Sequence, residues 1–438
     1  MNAKILTTIL LLALTTSIAS ADWSQFHHNP ERTGNVSGYA PVTNTIFWET
    51  ELGCFVEGGA CISNGRVYVA NRIGGSGKLG LYCLNEATGE IIWHNPIGGS
   101  GGVSTPAILG DRLFVGSLTG DLYCVNALNG TTIWNRTIEL KPSYWGVGSC
   151  PLIHEDTVFV NTVSGGAVFA FGFDGNELWN ITTGSYGEYP PAVAYYISPA
   201  AYDRKIFFGG AGPALYCVDI ETQNELWNFS TTGTMSTTPA IDCGIVYLAT
   251  GDRMYAVGMD GIEVWSQSLK GTISSPAISD GKIYIGDKDK KINCINATDG
   301  IEIWNQTLGG KCDSSPVVAN GMVYTAANYA QGTVYGFDAE IGDLKWTYDT
   351  CNWNMAQPAI SDGILFIGSD SGYLYAFRDL IQKGDLNLDW AVTVDDAFIA
   401  LKMAVGAIPA VEGADMNGDS KVTSLDALMI LQMALGAD

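Results

Sequence analysis

Short runs of alternating apolar and polar residues, separated by glycine-rich turns, dominate the chain between residues 46 and 377. The segment 274–306 shows the pattern most clearly, with the runs PAISD, KIYIGD, KINCINA and IEIWNQ. Period-two alternation bounded by Gly, Asp and Asn is typical of β-strands joined by tight turns. We therefore predict four short strands in this segment.

This four-strand unit repeats along the chain. Its proline-apolar opening returns at 104–117, 237–250, 314–327 and 356–369. The intervals between its closing tryptophans run from 38 residues (227 to 265) to 48 residues (179 to 227). Four-stranded units at this spacing are typical of β-propeller blades. The closing tryptophans are Trp48, Trp93, Trp134, Trp179, Trp227, Trp265, Trp304 and Trp346.

The two ends of the repeat array complement each other. The last unit has three strands and no tryptophan, whereas Trp48 lies in a lone fourth strand. Pairing these ends would close the ring and remove its open sheet edges. We predict an all-β, eight-bladed β-propeller over residues 22–380. Since a buried tryptophan contributes a large apolar area, we interpret the eight tryptophans as structural wedges between blades.

The N-terminal sequence indicates where the protein is located, and the net charge indicates which partners are disfavoured. Residues 1–21 combine Lys4, an apolar stretch and a small-residue end, as in a secretory signal peptide. No later stretch has the roughly 20 apolar residues of a membrane span. The net charge of −23 disfavours nucleic acid and anionic lipid as partners. We expect a secreted or cell-surface protein without a membrane span.

Four cysteines occupy one position of the repeat, which holds alanine in two other units. Alternation of Cys with Ala indicates a small buried apolar site, so we predict free thiols there. The pairing of the other six cysteines stays open. The four are Cys83, Cys124, Cys217 and Cys294.

The segment EATGEIIW, residues 86–93, resembles the tryptophan-docking motif of pyrroloquinoline-quinone-type (PQQ-like) propellers, and DWSQFHHNPERTGNV, residues 22–36, resembles the segment before their first blade. The resemblance implies the propeller fold. In the alcohol dehydrogenases of that family it also implies a quinone held between a tryptophan and a disulfide of adjacent cysteines, beside calcium. This chain has no adjacent cysteines and no recognisable catalytic motif. We expect neither PQQ nor catalytic residues, and a PQQ-dependent oxidoreductase is the alternative.

Two neighbouring connections between blades are enlarged and rich in aromatic residues, as the spacings 134 to 151 and 179 to 199 show. Propellers bind with loops set on a rigid ring, so these loops are candidates for a glycan or protein site. The rings could instead only fill the loops. The candidate ligand-binding residues are Tyr144, Trp145, Tyr186, Glu188, Tyr189 and, in a similar loop, Trp353.

Seven Asn-x-Ser/Thr sequons occur, four of them directly after a blade tryptophan. Surface glycans on an exported chain and simple copying of one ancestral repeat both explain this pattern.

The composition changes after Phe377, and the tail, residues 381–438, contains the same loop twice, 30 residues apart. Oxygen-bearing side chains stand at positions 1, 3, 5, 9 and 12 of each loop, which is the spacing of an EF-hand calcium loop with a backbone carbonyl at position 7. An apolar stretch with helical spacing follows each loop. We predict two calcium ions. The predicted ligands are Asp385, Asn387, Asp389, Ala391, Thr393 and Asp396, and then Asp415, Asn417, Asp419, Lys421, Thr423 and Asp426.

Two such half EF-hands in a small α-helical domain resemble a type I dockerin. That resemblance implies a cohesin-bearing scaffold or surface protein as the partner, read by Val394, Asp395, Ser424 and Leu425. Position 6, normally glycine, is Trp390 and Ser420, where a positive φ would be strained. A solvated acidic tail is the alternative.

Together these features favour a secreted binding and assembly protein. Its propeller would recognise a carbohydrate or protein, and its dockerin would bind cohesin with calcium, as in polysaccharide-degrading complexes. Polysaccharide catabolism is inferred by analogy alone.

Overall fold

The structure is a computed structural model that describes residues 22–435, except 100, 139–146, 163–165, 185–196, 211, 380–382, 388–391 and 412. Eight sheets account for nearly all of the propeller. Six consist of four consecutive antiparallel strands, and a seventh adds the parallel strand Asn35–Val36 to four such strands. The eighth combines strands from both ends of the array. The predicted eight-bladed propeller is therefore confirmed.

The first blades follow the chain. Before them lie β1 (Asn35–Val36) and β2 (Ile46–Glu51). Blade 1 contains β3 (Cys61–Ser63), β4 (Arg66–Asn71), β5 (Gly80–Asn85) and β6 (Ile91–Asn95). A short 3₁₀ turn, Ile97–Gly99, leads to blade 2, which contains β7 (Ala107–Leu109), β8 (Arg112–Gly116), β9 (Asp121–Asn126) and β10 (Thr132–Thr137). Blade 3 contains β11 (Leu152–His154), β12 (Thr157–Thr162), β13 (Ala167–Gly172) and β14 (Glu177–Thr182).

The later blades repeat this order. Blade 4 contains β15 (Ala200–Tyr202), β16 (Lys205–Gly209), β17 (Ala214–Asp219) and β18 (Glu225–Ser230). Blade 5 contains β19 (Ala240–Asp242), β20 (Ile245–Ala249), β21 (Arg253–Gly258) and β22 (Glu263–Ser268). Blade 6 contains β23 (Ala277–Ser279), β24 (Lys282–Gly286), β25 (Lys291–Asn296) and β26 (Glu302–Thr307). Blade 7 contains β27 (Val317–Ala319), β28 (Met322–Ala326), β29 (Thr333–Asp338) and β30 (Leu344–Asp349).

Blade 8 closes the ring as predicted. It contains β31 (Ala359–Ser361), β32 (Ile364–Gly368) and β33 (Tyr373–Phe377), and β2 completes it by pairing antiparallel with β33. The Asp379 carboxylate joins the two chain ends, accepting from the backbone N–H groups of Val42 (2.6 Å) and Thr43 (2.9 Å) and from the Thr43 and Tyr39 hydroxyls. One carboxylate thus takes the place of the hairpin turn that the other blades have between their third and fourth strands.

All eight repeated tryptophans lie on outermost strands. In six blades the indole N–H donates to a backbone carbonyl of the next blade, over 2.8 to 3.2 Å. A glycine of that blade's turn lies against the ring; at Gly300, with φ +74°, an added Cβ would lie 2.7 Å from Trp265. The bonded tryptophans are Trp48, Trp93, Trp134, Trp227, Trp265 and Trp304.

Trp179 and Trp346 are not among the bonded tryptophans, and each neighbouring blade differs from the others. In the blade next to Trp179, the turn that follows β17 carries Gln223, with φ +62°, where most blades carry glycine. The buried Trp346 Nε1 has no hydrogen-bond partner. It faces blade 8, whose third and fourth strands come from opposite chain ends and are not joined by a turn.

Residues 22–36, here called the N-terminal strap, run past the inner strands of seven blades in order. Six inner-strand N–H groups donate to strap carbonyls, and in blade 3 the Gln25 side chain makes the equivalent bonds with Ile153. Arg32 is fully buried, and its guanidinium donates to the carbonyls of Phe26, Pro151 and Pro199. The strap therefore holds the blades together around the axis. The six donors are Ile62, Ile108, Ala201, Ile241, Ile278 and Val318.

All ten cysteines are unpaired, including the four at the repeated position, each of which is fully buried. Burial raises the pKa of these thiols to about 11 or 12. The predicted free thiols are therefore confirmed, and they are protonated at neutral pH.

The tail contains two helices, α1 (Val394–Ala404) and α2 (Ser424–Ala434). They pack through Ala397 and Ala400 of α1 and Ala427 and Ile430 of α2, which are related by the 30-residue repeat. Neither helix, nor any other in the described part of the chain, is long and apolar enough to cross a membrane. The leader predicted at residues 1–21 lies outside the described residues.

Candidate functional site

The axis of the propeller carries a ring of small polar side chains. Each ring residue stands two positions before the first residue of an inner strand. In six successive blades its N–H donates to the side chain of the equivalent residue in the next blade, over 2.8 to 3.2 Å. Because each acceptor fixes the next donor, the ring is rigid. This axial ring consists of Gly59, Thr105, Cys150, Ser198, Thr238, Ser275, Ser315 and Gln357.

A small cavity of about 30 Å³ lies at the axial ring. Its wall comes mainly from residues two positions before the ring: the apolar Val103, Ile273 and Met355, and the acidic Glu57 and Asp313. In seven blades the strap bonds to the middle residue of the three-residue inner strand, whereas the ring residues precede these strands. The cavity wall is therefore built from the residues before the inner strands, and it is mixed apolar and acidic.

One acidic cluster lies beside this cavity. Arg72 forms a bidentate ion pair with Glu57, and both side chains are largely buried. Nearby, burial and then the Glu57 charge raise the pKa of Asp370 to about 7, against a smaller lowering effect of Arg72. Among the described residues, the buried Asp370 Oδ1 has no hydrogen-bond partner. This carboxyl group changes its charge near neutral pH.

Trp353 is the one predicted ligand-binding residue of the propeller that lies within the described residues. Its side chain is 54% exposed, and its backbone carbonyl accepts from the Asp370 N–H at 3.0 Å. An exposed aromatic ring therefore lies near the acidic cluster. The other predicted members, Tyr144, Trp145, Tyr186, Glu188 and Tyr189, lie outside the described residues.

The tail provides the second candidate site, and its two loops are built alike. Asp396 accepts from the N–H groups of Leu386 (2.7 Å) and Asn387 (3.0 Å), and from both N–H and Oγ1 of Thr393. Asp426 makes the same four bonds, 30 residues later, with Met416, Asn417 and Thr423. Burial raises the pKa of Asp426, but these bonds outweigh burial and lower it below the usual value.

Each of these aspartates also completes a capping box with the threonine before its helix. The residues at positions 9 and 12 therefore start the helix and hold the beginning of the loop. This dual use explains why both residue types repeat in the two loops.

The second loop also has the backbone of an EF-hand loop at its start. The Asp415 carboxylate accepts from the N–H groups of Gly418 (2.7 Å), Asp419 (3.2 Å) and Ser420 (2.7 Å). Ser420 has φ +65°, the conformation expected at a position that normally holds glycine. The expected positive φ is therefore confirmed here. Asp389, Trp390 and Ala391 of the first loop lie outside the described residues.

The donor chemistry of the second loop suits calcium, since Asp415, Asn417, Asp419, Thr423 and Asp426 offer only hard oxygen ligands together with the Lys421 carbonyl. In the described part of the chain, however, no three His, Cys, Asp or Glu side chains converge in a geometry that would hold a metal ion. Calcium binding therefore stays a prediction.

The four predicted cohesin-reading residues are all exposed, in the first turns of α1 and α2. Val394 is 56% exposed and Leu425 is 53% exposed. The two turns thus present equivalent positions to solvent, as the prediction requires.

Sequence reasoning missed a wider apolar surface on the same helices. Phe398 (57% exposed) on α1 and Val405 (72%) at its C-cap correspond to Leu428 (49%) on α2 and Leu435 (69%) at its C-cap. Their spacing of seven residues places each pair on one helix face, so the 30-residue repeat could have revealed them. These four residues are called the tail apolar face below. They form an exposed apolar surface in addition to the apolar sides through which the two helices pack together.

The fold and the axial ring define an eight-bladed β-propeller with a cavity at its axis. Residues 32–189, 193–261 and 254–391 match the PQQ_2 family, described as outer membrane protein assembly factor BamB. The chain belongs to this family. The match ends before α1, so the helical part of the tail lies outside it.

Individual relatives agree with this assignment. The outer membrane protein assembly factor BamB of Burkholderia pseudomallei (strain K96243) is 30% identical over 187 residues, which are 42% of this chain and 37% of that protein. The match thus spans little more than a third of the curated relative. The crystal structure of BamB from Moraxella catarrhalis has a TM-score of 0.60 at 17% identity, over 76% of this chain and 99% of that one. A europium-containing methanol dehydrogenase has a TM-score of 0.68 at 12% identity, over 85% of this chain and all of that one. These structures show the shared fold alone.

The axial residues do not fit the quinone site that the resemblance to PQQ enzymes implies. The described wall of the cavity holds one cysteine, Cys150, and the sequence has no adjacent cysteines. All eight blade tryptophans lie on outermost strands, away from the axis. The expected absence of PQQ stays a prediction.

Proposed function

We propose that the chain is an exported binding and assembly protein, with a propeller that recognises a ligand and a dockerin tail that binds a cohesin module in the presence of calcium. The observation that carries this proposal is the duplication of the tail. Two loops with the same hydrogen bonds lead into two helices with the same exposed positions. An acidic tail kept only for solubility would need neither the shared bonds nor the paired apolar residues.

In this proposal calcium neutralises the clustered carboxylates and cross-links each loop to the start of its helix. The ligands would be Asp385, Asn387, Asp389, Thr393 and Asp396 with the Ala391 carbonyl, and Asp415, Asn417, Asp419, Thr423 and Asp426 with the Lys421 carbonyl. Asp396 and Asp426 already hold both ends of their loops. Each would therefore transmit calcium binding directly to a helix N-terminus.

The tail apolar face and the first helical turns would then contact the cohesin. A surface that combines Phe398 and Leu428 with the exposed first turns has the apolar centre and polar rim usual in protein interfaces. The name of the family, an assembly factor, agrees with a role in bringing proteins together.

The propeller would supply recognition, through the axial cavity and the loops around it. Trp353, beside Asp370 and Asn352, offers an aromatic face next to hydrogen-bonding groups. That combination suits the face of a sugar ring. A polysaccharide ligand would match delivery by a dockerin, and a protein ligand would match the family name.

Capture of a cohesin module by the full chain tests the proposal. With calcium, the wild-type chain binds, whereas Phe398→Asp combined with Leu428→Asp reduces affinity at least tenfold. Ile341→Asp is the matched control, because Ile341 is equally exposed (57%) but lies on the propeller. Equal binding by all three proteins would contradict the proposal.

A further inference from the structure

Four sequons occupy one structural position on the rim of the propeller. Each asparagine directly follows the docking tryptophan on the outermost strand of blades 2, 3, 4 and 6. Three of these asparagines are exposed and the fourth is partly exposed. They are Asn135, Asn180, Asn228 and Asn305, here called the rim sequons.

The other three sequons lie elsewhere. Asn35 belongs to β1 and pairs with Val318 of blade 7. Asn296 is partly buried, and its side chain caps a turn by accepting from the Thr298 N–H at 2.8 Å. Asn129 lies in the turn between β9 and β10, where its side chain accepts from Thr131. The rim sequons are therefore the only group that shares one environment.

The fold explains the asparagine of a rim sequon. Asn180 donates to Glu177 at 2.6 Å, and the equivalent asparagines of blades 4 and 6 donate to the glutamate three residues earlier, at 2.7 and 2.6 Å. In blade 5, which has no sequon, Ser266 makes the same contact with Glu263 at 2.7 Å. The contact with this glutamate therefore needs a polar residue but not a sequon.

The fold does not explain the hydroxyl two residues later. Thr182, Ser230 and Thr307 are exposed, and within the described residues their side chains make no hydrogen bond. Only Thr137 of blade 2 has a structural partner, the Asp121 carboxylate at 2.6 Å. A sequon requires a hydroxyl at this position, whereas in blades 3, 4 and 6 the hydroxyl makes no structural hydrogen bond within the described residues.

The rim also carries exposed apolar side chains beside the sequons. Ile133, Leu178, Leu226 and Ile303 are 43 to 53% exposed, and each stands two residues before a rim sequon. Two residues along a strand span about 7 Å, so each apolar side chain lies close to its asparagine. Each apolar side chain is the extra residue of a bulge opposite the third strand, so it points away from the sheet pairing.

We propose that the rim sequons carry N-linked oligosaccharides, which cover the apolar side chains on the outer strands. The amide Nδ2 forms a bond to the anomeric carbon of a polyisoprenyl-phosphate-linked oligosaccharide. The bond from that carbon to the phosphate oxygen breaks, and the lipid phosphate leaves with the electron pair. Nδ2 loses one proton, which the leaving phosphate or water takes up. The remaining N–H still donates to the neighbouring glutamate, so the strand keeps its contact. This modification requires export but is independent of cohesin binding.

Peptide mass mapping of the protein purified from the cells that naturally produce it tests the proposal. We expect glycan masses on the peptides that contain Asn135, Asn180, Asn228 and Asn305, and none on Asn35. In the same cells, Thr182→Val, Ser230→Ala and Thr307→Val each remove one glycan mass while leaving the asparagine contact intact. Ser268→Ala, on the blade 5 strand without a sequon, is the matched control and leaves the mass pattern unchanged.

An unmodified polypeptide mass for the secreted protein would overturn the proposal. Glycans confined to the turn sequons or to Asn35 would overturn it as well, because the rim would then stay uncovered. Loss of cohesin capture has no bearing on either result, so the two proposals fail separately.

Discussion

Individual buried ionisable residues mark where the propeller departs from simple packing. Glu86 is 5% exposed, one of its carboxylate oxygens has no hydrogen-bond partner, and burial raises its pKa to about 7. A Ser361 contact opposes the shift, and Asp362 adds to it. The ionised carboxylate is thus disfavoured in the folded state relative to the unfolded chain.

Glu86→Gln should therefore stabilise the protein at high pH. Since the folded pKa lies above the unfolded value, the contribution of protonated Glu86 is complete below pH 4.5 and is lost as the pH rises to about 7. The shift of about 2.5 units corresponds to about 3 kcal/mol of unfolding free energy. Urea unfolding of both proteins at pH 5 and pH 8 measures it. Glu90→Gln, at an exposed position of the same turn, serves as the control, and equal stability of Glu86→Gln and wild type at pH 8 would refute the account.

The docking turns give a paired prediction for single residues. Gly300→Ala should destabilise the protein by about 2 kcal/mol or more, because the new Cβ meets Trp265 and the backbone has a positive φ. Gln223→Gly should stabilise it by about 0.5 to 1 kcal/mol, because glycine adopts φ +62° without strain. Thermal unfolding compares the two variants. A stabilised Gly300→Ala variant would show that Trp265 does not pack tightly against the turn at Gly300.

At the level of elements, the repeats were predictable and the strap was not. Alternation and turn residues define every strand of the segment 274–306, and the lone strand around Trp48 points to ring closure. The strap sequence shows no periodic pattern, because its carbonyls accept one N–H per blade along an irregular backbone path. The axial ring was also missed, because Ser, Thr, Cys and Gln at one position do not form a recognisable motif. The tail loops were predictable since spacing alone defines them.

The tail loops allow a prediction at the same scale. Ser420→Gly should raise calcium affinity severalfold, because Ser420 holds φ +65° and glycine removes that strain before calcium binds. Calcium titration calorimetry of the full chain measures the change. Ser424→Gly, at an exposed helix position of the same unit, is the control, and weaker binding by Ser420→Gly would contradict an EF-hand loop.

For the whole molecule, closure depends on joining the two chain ends in blade 8. Asp379→Ala removes the carboxylate that binds Tyr39, Val42 and Thr43. We expect a loss of about 3 kcal/mol, because charged hydrogen bonds are lost and N–H groups are left unpaired. Urea unfolding measures it, with the exposed Asp156→Ala as control. A change no larger than in that control would mean that β2 and β33 suffice for closure.

At this scale the molecule combines a rigid ring with a small, duplicated tail. The propeller shares its fold with proteins of different named activities, so the fold alone does not define a reaction. The helical tail distinguishes this chain from the part that matches the family, since the family match ends before α1. The account therefore depends most on the tail.

The most direct test is the affinity of the full chain for a cohesin module as a function of free calcium. We predict binding that is absent in chelator and appears as calcium rises toward the millimolar range (about 10⁻⁴ to 10⁻³ M or lower). Asp415→Ala combined with Asp385→Ala should abolish this dependence, since each removes the first ligand of a loop. Cohesin binding of equal strength with chelator and with calcium, or no binding in either, would contradict the proposed function.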